Sequence, residues 1–444
     1  MERLIQTIRN IFKIPELRRR IFITLSLIAV WRLGVLVPIP GINLEILKKY
    51  MGDLSNNRLF GFLDVFSGGA LAKMSLFTLG IMPYISASII FSLLVKVVPS
   101  LEALAKEGPS GYRKISQYTR LATVPICILQ AFFLVQVMNS MSSSSLPGLV
   151  ISPGFGFTLM AITALTAGTM FVMWLGEQIT EYGIGNGASL IIMGGIIARM
   201  PQAISSIYAN AKIGVIGVEF IALLAMLYVG VIVAIVYTTQ AQRRIPVQYA
   251  KHIRGGKVYG GQQRHYLPLR VNQANVMPVI FASALMALPA FLADAIGVTW
   301  LSQIFSQSAF GFWYVTIYIG LVFFFSFFWT ALYFQPNEMA NQLQENGSFI
   351  PGIRPGKNTA DHLESIMYHV TLAGATFLCF IAIIPDSVTK FSPVLDRSVT
   401  TFLGGTGLLI VVGVGLDMMQ KIESHLLMRD YEGFFGSGKI RGRR

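Results

Sequence analysis

Few residues in this chain have the types and spacing that chemistry requires. Gly183-x-Gly185-x-Gly187 is glycine-rich, but no strand precedes it and its spacing lacks the dinucleotide-binding pattern, so it does not read as a nucleotide cradle. There is no P-loop. The five histidines show no metal-ligand spacing, and no nucleophile–base pair stands out. Cys127 and Cys379 both lie in apolar runs, which argues against a structural disulfide or a metal site. The expectation is a protein that is not an enzyme, with no catalytic residues, no metal and no cofactor. The chemistry that remains is electrostatic. Arg243, Arg244, Lys251, Arg254 and Lys257 crowd residues 240–272, a loop with basic residues and no acid. Such a segment suits phosphates, with a salt-dependent attraction.

The elements that must position these residues belong to a membrane. The 444 residues are 54% hydrophobic and only 13% charged, about half the charged share of a soluble domain, which is roughly 25%. A spanning helix needs about 20 mostly apolar residues. Candidate spans lie at about 21–38, 75–95, 121–138, 155–175, 187–205, 215–237, 275–293, 311–333, 366–385 and 402–419. The first follows Arg18-Arg19-Arg20 and has no clear small-residue cleavage site, so it reads as a retained span rather than a signal peptide.

Charge sets the orientation. Of the 35 Lys and Arg, the great majority fall in the N-terminal segment, the connection between spans two and three, the two long loops 240–272 and 335–365, and the tail after 420. The opposite side holds Lys48, Lys49, Arg58, Lys73, Arg199, Lys212, Lys390 and Arg397. Both termini are therefore expected in the cytoplasm, and the net charge of +14 reads first as topology. Arg32, Glu177, Glu181 and Asp417 fall near span ends, leaving the central stretches nearly uncharged.

Ten spans divide into two sets of five, residues 1–212 and 213–444. Five is odd, so the halves would be inverted relative to each other, with a functional path between them. One stretch breaks the pattern. Residues 59–98 are nearly continuously apolar, about twice the length of one span, and Gly68-Gly69 interrupts them. A half-helix at about 59–70 followed by a full span is expected. It sits either inside the protein, where irregular backbone at membrane depth is tolerated, or as an interfacial helix on the outer surface. In the loop 240–272, Val247–His252 and Val258–Tyr266 flank Arg254-Gly255-Gly256-Lys257, the signature of a β-hairpin projecting into the cytosol.

Five strings then resemble one family in order and register. They are Gly80-Ile81-Met82-Pro83-Tyr84-Ile85-Ser86-Ala87-Ser88-Ile89-Ile90, Tyr182-Gly183-Ile184-Gly185-Asn186-Gly187, Leu267-Pro268-Leu269-Arg270-Val271-Asn272, Phe349-Ile350-Pro351-Gly352-Ile353-Arg354-Pro355-Gly356 and Gly404-Gly405-Thr406. The chain resembles the SecY family of protein-conducting channels along almost its whole length. The resemblance implies an all-α membrane protein of the cytoplasmic (inner) membrane. Two five-helix halves would close around an hourglass pore that passes unfolded polypeptides and releases apolar segments sideways into lipid.

The resemblance also implies sites. A pore ring would comprise Ile81, Ile85, Ala188, Ile192, Ile280 and Ile410. Branched apolar side chains make a collar that water and ions avoid; Ala188 is smaller than the residue common there, so either the ring is looser on that side or the plug compensates. Isoleucine in an apolar span is otherwise ordinary packing or lipid contact. A plug would comprise Phe60, Leu63, Asp64, Phe66, Ser67, Gly68 and Gly69, with the glycines as hinge and Asp64 and Ser67 easing its exit into water; the plain alternative is a fixed re-entrant helix. A lateral gate would lie between spans two and three and spans seven and eight, with Ser88, Gln130 and Asn272 as polar contacts across it, although a local backbone hydrogen bond is the simpler use of each. Interhelical polar pairs contribute about 0.6 kcal/mol each, whereas a signal segment gains about 0.3–0.6 kcal/mol per apolar residue on entering lipid. A dozen such residues outweigh a few contacts.

Partners follow in the same way. SecE would clamp the halves and SecG would sit beside them. The SecA motor, to which ATP hydrolysis must belong, and the ribosome would dock on the basic finger and on Arg354. Topology alone explains much of the finger's charge, but not Arg354 in its Pro-Gly-rich loop. The rival reading is a secondary transporter of a small solute, which would carry ionisable residues at mid-membrane. A scaffold or insertase without a pore would not need a half-helix poised to fill a funnel.

Overall fold

Proline sets the start of many of the helices. It lacks the N–H that a first helical turn leaves unpaired anyway, and its φ is already helical. Pro15, Pro83, Pro99, Pro201 and Pro336 each stand in a first turn. The computed structural model describes residues 14–47, 64, 67–144, 147–214, 217–249, 252–254, 257–259, 264–273, 275–296, 304, 311–390 and 405–436.

In chain order the helices of the first part are α1 (Pro15–Gly34), α2 (Met82–Val97), α3 (Pro99–Lys106), α4 (Pro109–Ser144), α5 (Phe155–Tyr182), α6 (Gly187–Ile197), α7 (Met200–Lys212) and α8 (Val218–Gln240). Strands β1 (Gln242–Tyr249), β2 (His252–Arg254), β3 (Lys257–Tyr259) and β4 (Arg264–Arg270) follow. Then come α9 (Met277–Ile296), α10 (Phe312–Tyr333), α11 (Pro336–Glu345), β5 (Ser348–Phe349), α12 (Lys357–Lys390) and α13 (Gly405–Gly436). Among the described residues six helical segments are long and apolar enough to cross a membrane, or seven if α2 and α3, bent by 95° at Val98, count as one.

Within the first part α5 packs on α1, α4 and α6, and α2 packs on α4. Within the second, α10 packs on α9 and α12, and α13 packs on α8 and α12. The two groups meet where α6 touches α13 and where α9 touches α2 and α4.

Two sequence expectations are corrected here. The second apolar stretch is helical only from Met82, not from residue 75, and residues 67–70 run as turns rather than as the end of a half-helix. The backbone explains both. Gly68, Gly69, Met74 and Gly80 all have positive φ, at 67°, 89°, 45° and 54°, and no right-handed helix continues through such residues. The turns are satisfied internally: the Met74 carbonyl accepts from the Ile39 N–H at 2.9 Å, and the Val37 carbonyl from the Leu76 N–H at 3.0 Å. Irregular backbone inside an apolar shell has to be paired in this way.

The expected hairpin is present and is longer than its turn signals suggest. β1 and β4 pair antiparallel from Gln242↔Arg270 to Gln248↔Arg264, and β2 pairs with β3 from His252↔Tyr259 to Arg254↔Lys257. β5, from the second long loop, adds to the other edge of β1 through Gln248↔Phe349 and Tyr249↔Ser348. Ile245 and Leu269 face inward onto Phe334, Ile350, Leu363 and Met367, a small core of its own beneath the hairpin.

Candidate functional site

The six ring positions come from four helices and one turn. Ile81 is the residue before α2, Ile85 lies one turn into it, Ala188 and Ile192 open α6, Ile280 lies in α9 and Ile410 in α13. All except Ala188 are buried within one apolar cluster, and Ala188 is half-buried against the same cluster. The crossing of α5 and α6 places Ala188. A Cβ on Gly187 would lie 1.8 Å from the Gly176 carbonyl oxygen, and one on Gly176 would lie 3.5 Å from Ile81 Cδ1 and 3.6 Å from the Ala188 nitrogen. The paired glycines let the helices meet backbone to backbone, as small residues do between membrane helices. Asn186 starts α6 by accepting from the Ser189 N–H at 3.3 Å, the ordinary use of asparagine as an N-cap.

Of the plug residues, Phe60, Leu63 and Phe66 lie outside the described residues. Ser67 and Asp64 are buried, at 2% and 5% exposure. Gly68 does more than turn the chain: a Cβ there would stand 2.6 Å from the Trp31 ring and 3.0 Å from Gly195 Cα. Ala70 belongs to the same apolar cluster as the ring isoleucines. Asp64 and Ser67 are not loose polar decoration. The Asp64 Oδ1 accepts from the Ala72 N–H at 2.8 Å and from the Ser67 hydroxyl at 3.3 Å, and Oδ2 is paired with the Arg199 guanidinium. Arg32 Nη1 donates to the Gly68 carbonyl at 2.5 Å.

Sequence reasoning missed Arg199 as a site residue and placed Arg32 merely near a span end. The signal that could have found them is the isolated charge in an apolar run, which in a membrane protein points to a partner. The expectation of nearly uncharged central stretches is corrected accordingly: Arg199 stands between α6 and α7, inside the apolar segment Gly187–Lys212, neutralised by Asp64.

The polar gate candidates do not meet. Among the described residues no hydrogen bond joins Ser88, Gln130 and Asn272. The Asn272 amide donates to the Asn275 carbonyl in its own turn at 2.8 Å, and the Ser88 carbonyl accepts the Ser92 hydroxyl at 2.7 Å. Beside Ser88 opens a cavity of about 540 Å³ between α2, α3 and α4 on one side and the α10–α11 junction on the other. Tyr84, Ser88, Lys96, Glu102, Lys106 and Glu338 line it. Glu102 and Lys106 form an ion pair at 2.9 Å on α3. The Lys106 hydrogen bond, followed by its charge, holds the Glu102 carboxyl below its usual range, and the same contact raises Lys106.

On the finger, Arg243 and Arg244 are exposed on β1. Arg254 ends β2 opposite Lys257 at the start of β3, and Lys251 lies outside the described residues. Arg354 is exposed in the turn after β5, where its carbonyl accepts the Thr359 hydroxyl at 2.9 Å. Pairing of β5 with the Gln248–Tyr249 end of β1 ties that turn to the hairpin.

Known proteins share both sequence and fold with this chain. The SecY family model matches residues 75–419. The protein translocase subunit SecY of Thermotoga maritima is 43% identical over 446 residues, which cover 99% of this chain and all of that one. A solved protein-conducting channel superposes with a TM-score of 0.65 at 18% identity over 92% of each chain. Sec61 in the canine ribosome-channel complex from the endoplasmic reticulum does so with a TM-score of 0.63, also at 18% identity over 92% of each. With the family model matched over residues 75–419 and a relative 43% identical over 99% of its length, this chain belongs to the SecY family.

Proposed function

We propose that this chain is the protein-conducting channel of a translocase. It passes unfolded polypeptides across the cytoplasmic membrane and releases apolar segments sideways into the bilayer. The observation that carries this reading is the convergence of Ile81, Ile85, Ile192, Ile280 and Ile410, from separate parts of a SecY-family chain, into one buried apolar cluster that also holds Ala70. A collar of branched apolar side chains excludes water and ions when closed and offers a passing chain no hydrogen bonds that would select its sequence.

In this reading ten spans form two inverted halves, residues 1–212 and 213–444, with both termini in the cytoplasm. The segment around Asp64–Gly69 is the plug, and the contact of α9 with α2 and α4 is the gate. The cavity beside Ser88 then lies at the cytosolic mouth of the gate. The hairpin and the Arg354 turn form one basic platform for the ribosome and the SecA motor, and SecE and SecG bind the apolar outer faces. The ribosome complex of the canine structural neighbour supports the first of these partners.

The test is site-directed crosslinking. With Cys127 and Cys379 replaced, a single cysteine is placed at Ile280 and a secretory chain carrying its own cysteine is stalled in passage. A disulfide at Ile280, absent from a cysteine at the exposed Phe324, supports threading through the ring. Equal or no crosslinking while the chain still crosses would place the path elsewhere.

A further inference from the structure

We propose that Asp64, Arg199 and Arg32 form an ionic latch that holds the plug against α6 and α1, and that opening the channel requires breaking it. The inference rests on the reading of the Asp64–Gly69 segment as a plug.

The argument begins with where the charges are. Asp64 is buried, and its two carboxylate oxygens have different tasks. Oδ1 ties the plug's own turn together through the Ala72 N–H and the Ser67 hydroxyl, while Oδ2 faces the Arg199 guanidinium. The first set of bonds can travel with the plug and the second cannot. Arg199 stands at the start of α7, just after the helix that carries Ala188 and Ile192, so the ion pair couples the plug to the end of a ring helix. From α1, Arg32 donates to the Gly68 carbonyl, and its neighbour Trp31 and Gly195 of α6 both close on Gly68 where a side chain would stand. Ion pair, carbonyl bond and glycine contact all join the same turn to the same two helices.

The pair is also placed where it is strong. Water is largely excluded around Asp64, whose side chain is 7% exposed, and around Arg199 at 22%. Arg199 Nε is buried without a hydrogen-bond partner among the described residues, so Asp64 is the carboxylate that compensates this arginine. Breaking a desolvated pair by removing one partner leaves the other charge uncompensated. The two removals are not equivalent. Losing Asp64 leaves Arg199 and Arg32 at one turn with no anion, whereas losing Arg199 leaves Asp64 still bonded to the Ala72 N–H and the Ser67 hydroxyl, and Arg32 still bonded to Gly68. Asp64→Asn should therefore release the plug more than Arg199→Gln.

The experiment uses the complete translocase complex in proteoliposomes and reads two quantities at rest: ion leak, and labelling of Ala70→Cys by a membrane-impermeant maleimide after replacement of Cys127 and Cys379. Asp64→Asn is expected to raise both by about tenfold, the equivalent of about 1.4 kcal/mol, and Arg199→Gln by a smaller factor. Arg199→Lys should remain near the parent. The double variant should leak no more than Asp64→Asn alone, because removing Arg199 relieves the repulsion. The swapped pair, Asp64→Arg with Arg199→Asp, should recover part of the seal, which a misfolded protein would not. The latch is overturned if both single variants stay as tight as the parent while deletion of residues 60–70 leaks, or if the double variant leaks by the product of the two single effects. If that deletion also leaves the channel tight, the plug reading itself fails.

Discussion

Gly187 meets Gly176 so closely that a Cβ on the first would lie 1.8 Å from the carbonyl oxygen of the second. This contact fixes how near α6 comes to α5, and with it where Ala188 and Ile192 stand relative to Ile81. Gly187→Val has nowhere to place its side chain except by separating the helices. Overpacking of this kind costs about 1–3 kcal/mol. A lower midpoint of thermal unfolding in detergent is expected, together with ion leak from the displaced ring. Gly217→Val, at a glycine with nothing within 4 Å, is the control that should change neither.

The proposed ring makes a second prediction. Ile85→Ser removes a branched apolar side chain and adds a hydroxyl at a position 7% exposed. A hydrophobic constriction gates by staying dry, so the polar substitution should raise resting ion conductance in planar bilayers. Ile85→Val, which keeps the surface apolar, should leave it close to the parent. Equal conductance for the two variants would remove residue 85 from the seal.

Docking makes a third. Arg243, Arg244 and Arg354 are exposed, the first two on β1 and the third in the turn that follows β5, the strand paired with β1. If they meet ribosomal phosphates, each lost contact should lower the slope of log affinity against log salt by about 0.7–0.9. Cosedimentation of ribosomes with Arg354→Ala and with Arg243→Ala/Arg244→Ala, across a salt series, reads this directly. An affinity that falls with unchanged slope would point to a contact with protein instead.

Leu363 makes the fourth. It is fully buried under the hairpin with Ile245, Leu269, Phe334, Ile350 and Met367. Leu363→Ala should cost about 2–5 kcal/mol locally and loosen β1, β4 and β5 from α12. Faster limited proteolysis within residues 240–272 is expected, without a change in resting ion leak, because this small core is separate from the ring cluster.

Much of this protein is legible in its sequence because the bilayer imposes local rules. A lipid-facing run of about twenty apolar residues is helical, because lipid offers its backbone groups no other partners. Val218–Gln240 and Phe312–Tyr333 could be placed from composition, and the hairpin from a Gly-Gly turn between two extended runs. That Ile81, Ile85, Ile192, Ile280 and Ile410 share one buried cluster was suggested only by family resemblance, since nothing in an isolated isoleucine separates a collar from ordinary packing. Three features needed the tertiary structure. The turns from Ser67 to Ile81 look like helix in hydropathy, and only their pairing with Val37 and Ile39 stabilises a non-helical path. Asn272 looked able to cross a gate, but its amide is satisfied within its own turn. Asp64 and Arg199 lie far apart along the chain, one in a segment that read as plug and the other counted as a loop charge. Hydropathy is a sum over neighbours in sequence, whereas a buried charge is stabilised by a partner in space, and only the packing of the turn at Gly68 onto α6 brings the two together.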